Sequence, residues 1–329
     1  MKIKKKTSIS NNKLFIFPLI FACLALIGTI IIVHQRQIPT QNAASLNVSP
    51  LIFGTNLGLF NDNDLFLTHK VQSEVRQLHV QIIRFPIRNY MPNTIELQAA
   101  QIIKNLGITP LVTLSSSAPD PVAAGRVTIQ DMNQIFGNNL VYYEFGNESD
   151  LHGYSDPVKY THYWNQVISQ LKSLPVKGQF IGPVNSQSNP SYVAYFVHNA
   201  APKPDEISWH EYTADAYTTL QQFLAGIQRW GIHIANTKAA IVANGDSVPP
   251  IFITEWNYDS HPPYPDPRLT PQFQTQFVHA ALSEFAKDGI MGAMQYDLNT
   301  NPNYNLIDGN GLTPAGQAFG QMYTQLLHH

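Results

Sequence analysis

Apolar positions along this chain fall into two rhythms. Short bursts of strand-forming residues recur at Leu51–Asn56, Ile82–Arg84, Thr109–Leu114, Val141–Asn147, Gln179–Pro183, Ile207–Tyr212, Ile251–Trp256 and Ile290–Asp297. They are rich in Ile, Val, Phe and Tyr and end at Gly, Pro, Asn or Ser, as buried parallel strands do. Between them, apolar residues return every three or four positions, which is helix spacing. Leu97 to Leu106 predicts a helix stopped by Gly107. Pro157–Leu174 predicts another, with Ser155 or Asp156 as its N-cap. Thr218–Gly231, Pro271–Asp288 and Thr313–Leu327 read the same way. Strands alternating with helices at this interval predict an α/β fold, a (β/α)8 TIM barrel. An open doubly wound sheet is the alternative, but no glycine-rich phosphate loop follows the first strand.

The N-terminus follows a different pattern. Lys2, Lys4, Lys5, Lys6 and Lys13 precede an uncharged apolar run from Leu14 to Val33. That run is long enough to cross a bilayer, and no small-x-small cleavage site follows it. The expectation is a cytoplasmic basic tail over 1–13 and a single-pass transmembrane signal-anchor over 14–33. A polar stalk over 34–48 would follow, with the barrel over 49–329 held outside the cell membrane.

Composition narrows the function. The chain has 329 residues, only 13% of them charged, with a formal net charge of -2. Outside the N-terminus the Lys and Arg residues form no stripe, so a nucleic-acid partner is not expected. The one cysteine, Cys23, lies in the apolar run, which leaves the exported part without disulfide or thiolate chemistry. No HExxH or CxxC spacing occurs, so neither a catalytic metal nor another cofactor is expected.

Two of the bursts end on a carboxylate: Tyr142-Tyr143-Glu144-Phe145-Gly146-Asn147-Glu148 and Ile251-Phe252-Ile253-Thr254-Glu255. An ionised acid at the tip of an apolar strand is costly unless it is used or paired. In a barrel the strand tips surround the functional face, and strands four and seven lie across its mouth from each other. Two carboxyl groups about 5–5.5 Å apart there are what a retaining glycosidase needs, one as proton donor and one as nucleophile. Glu148 is the candidate acid/base and Glu255 the candidate nucleophile. An apolar surround and a second negative charge would favour the protonated form of Glu148. Glu144, two layers lower on the same face, reads as a buried structural acid, and Glu211 alternates away from the site.

These stretches resemble a known group of enzymes. Gly146-Asn147-Glu148-Ser149-Asp150 resembles the Asn-Glu motif of the clan of retaining (β/α)8 glycoside hydrolases. Thr254-Glu255-Trp256-Asn257 resembles the nucleophile motif of its β-xylosidase and arabinofuranosidase families. Val48-Ser-Pro-Leu-Ile-Phe-Gly54-Thr-Asn56 is similar to the first strand of arabinofuranosidase- and heparanase-type members, and Gly311-Leu-Thr-Pro-Ala-Gly316 recurs across the clan. The resemblance implies that Asn147 bonds the sugar 2-hydroxyl and that Arg84 lies under the nucleophile. It also implies that His210 and Tyr212 contact the nucleophile. Ser149 stands where a Pro often follows Asn-Glu, and no extra β-sandwich is expected.

Aromatics near strand ends are candidates to stack on sugar faces: Tyr90, Trp209, Trp256, Tyr258, Tyr264, Tyr296 and Tyr304. The expected activity is hydrolysis of O-glycosidic bonds in a poly- or oligosaccharide. The competing expectation is a barrel that binds carbohydrate without catalysis.

Overall fold

In the computed structural model, described for residues 47–59, 64–175, 177–213 and 218–327, eight parallel strands close into a barrel. They are β1 (Gly54–Asn56), β2 (Ile82–Pro86), β3 (Thr109–Leu114), β4 (Tyr142–Phe145), β5 (Gln179–Asn185), β6 (Glu206–Tyr212), β7 (Ile251–Asn257) and β8 (Gly292–Gln295). Each pairs with the next, and Gly54 opposite Met294 closes the ring.

The helices that follow the strands are α1 (His69–Gln77), α2 (Thr94–Asn105), α3 (Pro121–Phe136), α4 (Pro157–Leu171), α5 (Pro190–Asn199), α6 (Leu220–Ala243), α7 (Pro271–Asp288) and α8 (Pro314–Leu327). Five of them begin with one device, an N-cap side chain followed by proline. Asp120-Pro121, Asp156-Pro157, Asn189-Pro190, Thr270-Pro271 and Thr313-Pro314 each satisfy a free backbone N–H and preset the first helical φ. Of the two N-cap candidates for α4, Asp156 does the capping.

Some predicted boundaries move. Leu51 and Ile52 belong to a 3-10 turn capped by Ser49, so the first strand starts only at Gly54. Val48 packs against the core and the Ser49 hydroxyl donates to the Met291 carbonyl, so the polar stalk gives way to the barrel at 48. α6 runs past Gly231 to Ala243. A Cβ at Gly231 would lie 2.3 Å from Glu284 on α7, so this glycine permits a close helix contact and does not end the helix. The expected tail, the apolar span at 14–33 and most of the stalk lie outside the described residues. Among the described residues no helix is long and apolar enough to cross a membrane.

The barrel interior changes character from bottom to top. Ile82, Leu111, Tyr142, Ile181, Phe252 and Met294 fill an apolar lower layer. Two residues further along β2 and β4, the inward positions are Arg84 and Glu144. The large core lies outside, between strands and helices, where Trp164, Trp209, Trp230 and Trp256 are all fully buried. The polar chemistry is thus raised toward the C-terminal mouth on an apolar floor.

Candidate active site

Arg84 organises the mouth. From β2 its Nε donates to Glu144 Oε2 at 2.6 Å and its Nη1 to Glu255 Oε1 at 2.6 Å. Nη1 also reaches Asn56 Oδ1 at 3.0 Å, and Nη2 reaches Asn147 Oδ1 at 2.6 Å. The guanidinium is buried. Burial opposes its charge, but Glu144 and Glu255 outweigh it and raise the Arg84 pKa. Glu144 takes a further bond from Ser208, as befits a structural acid beneath the site.

Glu255 is aimed inward by an irregularity. Phe252 faces the barrel interior, so strict alternation would send Thr254 and Trp256 inward and Glu255 outward. Pairing with β6 runs Trp209↔Ile253 and then His210↔Glu255, leaving Thr254 as an extra residue. The same extra residue appears against β8. A bulge of this kind re-aims the residues after it. Glu255 Oε2 then accepts from the Tyr212 hydroxyl at 3.0 Å. Burial, followed by the charge of Glu255, pushes the Tyr212 pKa far up, so the phenol remains a donor.

Glu148 arrives differently. β4 ends at Phe145, three residues short of it, so Glu148 sits on a loop and not on the strand tip. Gly146 has φ +94, and a Cβ there would stand 2.5 Å from Ser149 Oγ, so glycine is required. Glu148 itself has φ 47 and Val184 on β5 has φ 60, both left-handed and both non-glycine. The Glu148 N–H donates to the Val184 carbonyl and locks the two strained residues together. Strain of this sort, about 1–3 kcal/mol per residue, persists where the surroundings over-determine it and clusters at functional sites.

His210 joins the two acids. Its Nδ1 is 3.0 Å from Glu148 Oε1 and 3.7 Å from Glu255 Oε2. One oxygen of each carboxylate and one ring nitrogen of His210 all lie within 4.8 Å of one another. Burial disfavours imidazolium, but the charge of Glu255 and the bond to Glu148 together raise the His210 pKa. The hydrogen bond from His210, opposed by burial, lowers that of Glu148. The expectation of a proton-holding Glu148 is therefore corrected: its nearest neighbour is a cation donor, which favours the carboxylate. The three side chains also have metal-ligand spacing, but both Glu255 oxygens are already bonded. A cation there would stand beside the Arg84 guanidinium, whose charge opposes it.

A cleft of about 910 Å³ opens above these groups. Asn56, Arg84, Asn147, Glu255 and Tyr296 line it, together with Ser115–Ser117 and His152. The neighbours of Glu148 in the chain, Asn147 and Ser149, line this cleft, and 27% of the Glu148 side chain is exposed.

The other predicted aromatics part company. Tyr296 lies in the cleft, and burial with the nearby Glu255 charge pushes its hydroxyl up to about 12. Trp256 does not reach the cleft. The bulge turns it outward, where its ring packs against Trp230, Phe277 and Phe285. Trp209 is also buried outside the barrel and donates to Glu211. Tyr258 and Tyr304 are packed against each other edge-on. Tyr90 and Tyr264 remain 43% and 74% exposed. Sequence reasoning missed the role of Asn56, which steadies Arg84 and donates to the Thr254 carbonyl at the bulge. Its place at the end of β1 was the available signal.

No protein-family pattern and no curated protein sequence matches the chain. Solved structures do. A GH51 arabinofuranosidase from Xanthomonas axonopodis pv. citri superposes with a TM-score of 0.63 at 15% identity, over 84% of this chain and 73% of that one. A family 51 alpha-L-arabinofuranosidase from Bifidobacterium longum gives 0.66 at 15% identity, over 84% and 73%. A glucosidase from Croceicoccus marinus gives 0.63 at 14%, over 85% and 70%. The barrel fold is thus shared with glycoside hydrolases.

Proposed function

We propose that this chain is a retaining glycoside hydrolase, with Glu148 as acid/base and Glu255 as nucleophile. The observation that carries the reading is the approach of the two carboxylates to within 4.8 Å at the mouth of a cleft. An oxygen-to-oxygen approach of that order suits the roughly 5–5.5 Å carboxyl spacing of double displacement better than the about 6.5–9.5 Å of the inverting route, which must admit a water. The fold likeness to an arabinofuranosidase and a glucosidase supports a carbohydrate substrate.

In the first step the Glu255 carboxylate attacks the anomeric carbon as the bond to the leaving oxygen breaks. Glu148 delivers a proton to that oxygen, so the departing group leaves as an alcohol. The free site favours Glu148 as carboxylate with the proton on His210, 3.0 Å away. The Glu148–His210 pair therefore holds the proton jointly, and substrate draws it through Glu148. In the second step the charge on Glu255 is gone. Glu148 takes a proton from water, the hydroxyl attacks the anomeric carbon, and Glu255 leaves as carboxylate. Arg84 and Tyr212 hold Glu255 in line, and Asn147, anchored by Arg84, presents its amide to the sugar 2-hydroxyl.

The substrate class is a poly- or oligosaccharide with β-linked or arabinofuranosyl units. The apolar run at 14–33 behind its lysines would tether the barrel to the outer face of the cell membrane. A panel of aryl glycosides tests the activity, with product stereochemistry read by NMR at early times. Retention is expected. Glu255→Ala should lose turnover and regain it with azide, giving an inverted glycosyl azide. Saturable sugar binding without hydrolysis of any panel member would favour the binding-only barrel instead.

A further inference from the structure

The cleft takes its lining from a run of neighbouring strands and the loops after them, β8, β1, β2, β3 and β4, with Glu255 of β7 before the run. β3 and β4 stand at the end of that run away from Glu255. Double displacement gives the run a direction. The attacking oxygen and the leaving oxygen lie on opposite sides of the anomeric carbon, and the leaving oxygen takes its proton from the acid. The departing group must therefore lie against the segment that carries Glu148.

His152 belongs to that segment. The Leu151 N–H donates to the Glu148 carbonyl at 2.9 Å and the His152 N–H to the Ser149 carbonyl at 3.1 Å, so tight turns fold His152 back beside the acid. His152 is exposed and lines the cleft. Behind the bond from His210, the charge of His152 also favours the Glu148 carboxylate, so the imidazole is within electrostatic reach of it.

Ser115 and Ser117 line the cleft from the loop after β3. The Gly146 N–H donates to the Leu114 carbonyl at 2.9 Å, and the Tyr163 hydroxyl holds the Ser116 carbonyl at 2.9 Å. This stretch is thus pinned beside the loop that carries Glu148. The Ser115 and Ser117 hydroxyls are 3.2 Å apart. One donates to the other, so the pair still has one proton to give and lone pairs to accept.

We infer that His152, Ser115 and Ser117 form the leaving-group subsite, and that the group they hold is a second sugar unit, bound through its hydroxyls. This rests on the glycosidase reading above and narrows it to cleavage between sugars. An apolar leaving group would cover the two hydroxyls and the imidazole without giving them partners, which is costly. The cleft volume of about 910 Å³ lies at the large end of small-molecule sites, roughly 300–1,000 Å³, and admits more than one ring.

The test compares two leaving groups that make the same demand for a proton. A panel of 4-nitrophenyl glycosides first identifies the sugar that is transferred. kcat/KM is then measured on the methyl glycoside of that sugar and on disaccharides in which glucose or xylose takes the place of methanol. Both leaving groups are alcohols, and only the sugar carries further hydroxyls. His152→Ala and the double variant Ser115→Ala/Ser117→Ala should each lower the ratio of disaccharide to methyl glycoside kcat/KM about threefold to tenfold. An unchanged ratio, whether neither rate falls or both fall together, would overturn the proposal, because an effect exerted through Glu148 or through the fold strikes both substrates alike. A wild type that prefers the methyl glycoside would overturn it too. Failure to turn over any 4-nitrophenyl glycoside would instead bring down the hydrolase reading, and this subsite with it.

Discussion

His210 Nδ1 lies 3.0 Å from Glu148 Oε1, which places an imidazole inside the gap between the two candidate catalytic acids. Both partners shift because of it, His210 upward and Glu148 downward. Removing the imidazole should therefore change which group sets the alkaline limb of activity. In the wild type that limb marks loss of the proton from the pair, which sits mainly on the raised His210. In His210→Asn it marks ionisation of Glu148 alone. The alkaline limb of kcat/KM on an aryl glycoside should move down by about one pH unit or more, with kcat reduced. An unmoved limb would remove His210 from proton delivery.

Arg84 is the only side chain bonded to both Glu144 and Glu255 among the described residues. Arg84→Met removes the guanidinium that Glu144 and Glu255 share and leaves the buried Glu144 without a cation. Breaking a buried pair in this way costs about 3–5 kcal/mol. Denaturant unfolding should show that loss, and turnover should fall below detection. Arg84→Lys should recover part of the stability but little activity, because an ammonium cannot span four oxygen partners in a plane.

Gly146→Ala tests the loop that carries Glu148. The left-handed φ and the 2.5 Å approach to Ser149 Oγ both exclude a methyl group. The expected cost is about 1–3 kcal/mol, together with a drop in kcat larger than any change in KM, because Glu148 is displaced from His210.

Glu206 gives a stability test away from the mouth. It is buried beside Tyr142 in the lower barrel, and burial, with the charge of Asp205, pushes its carboxyl up to about 8. Its folded pKa lies above the ordinary 4.5, so folding favours the protonated acid. That contribution is complete below about pH 4.5 and is lost as pH rises through 8. Glu206→Gln should flatten the decline of Tm across this window while matching the wild type near its acid end. Parallel Tm curves for the two proteins would refute the assignment.

Several features of the molecule were legible along the chain. The eight strand bursts and the proline-led helix starts are local signals, set by side-chain shape and by which backbone groups a cap can satisfy. α7 matches its predicted range because Thr270-Pro271 opens it and Gly289 closes it, and β3 matches between Gly107 and the serines from Ser115. The apolar spacing named no helix at α1, α3 or α5, although the amphipathic pattern of α1 is stronger than that of α7. Trp256 shows the opposite case. A tryptophan next to a candidate nucleophile looked like a sugar platform, yet one unpaired residue, Thr254, rotates it into the helix layer.

By itself, then, the amino-acid order determined the alternation of strands and helices and the presence of Glu148 and Glu255 near strand ends. These depend on neighbours a few residues apart. Only the closed barrel decided that Glu255 faces inward and Trp256 outward, because a bulge is defined by pairing with two other strands. The barrel likewise set Glu148 in a left-handed turn against β5. It also brought His210 between the acids, where the charges of both offset the burial of the ring. Those are long-range contacts, and their energies exist only once distant strands meet.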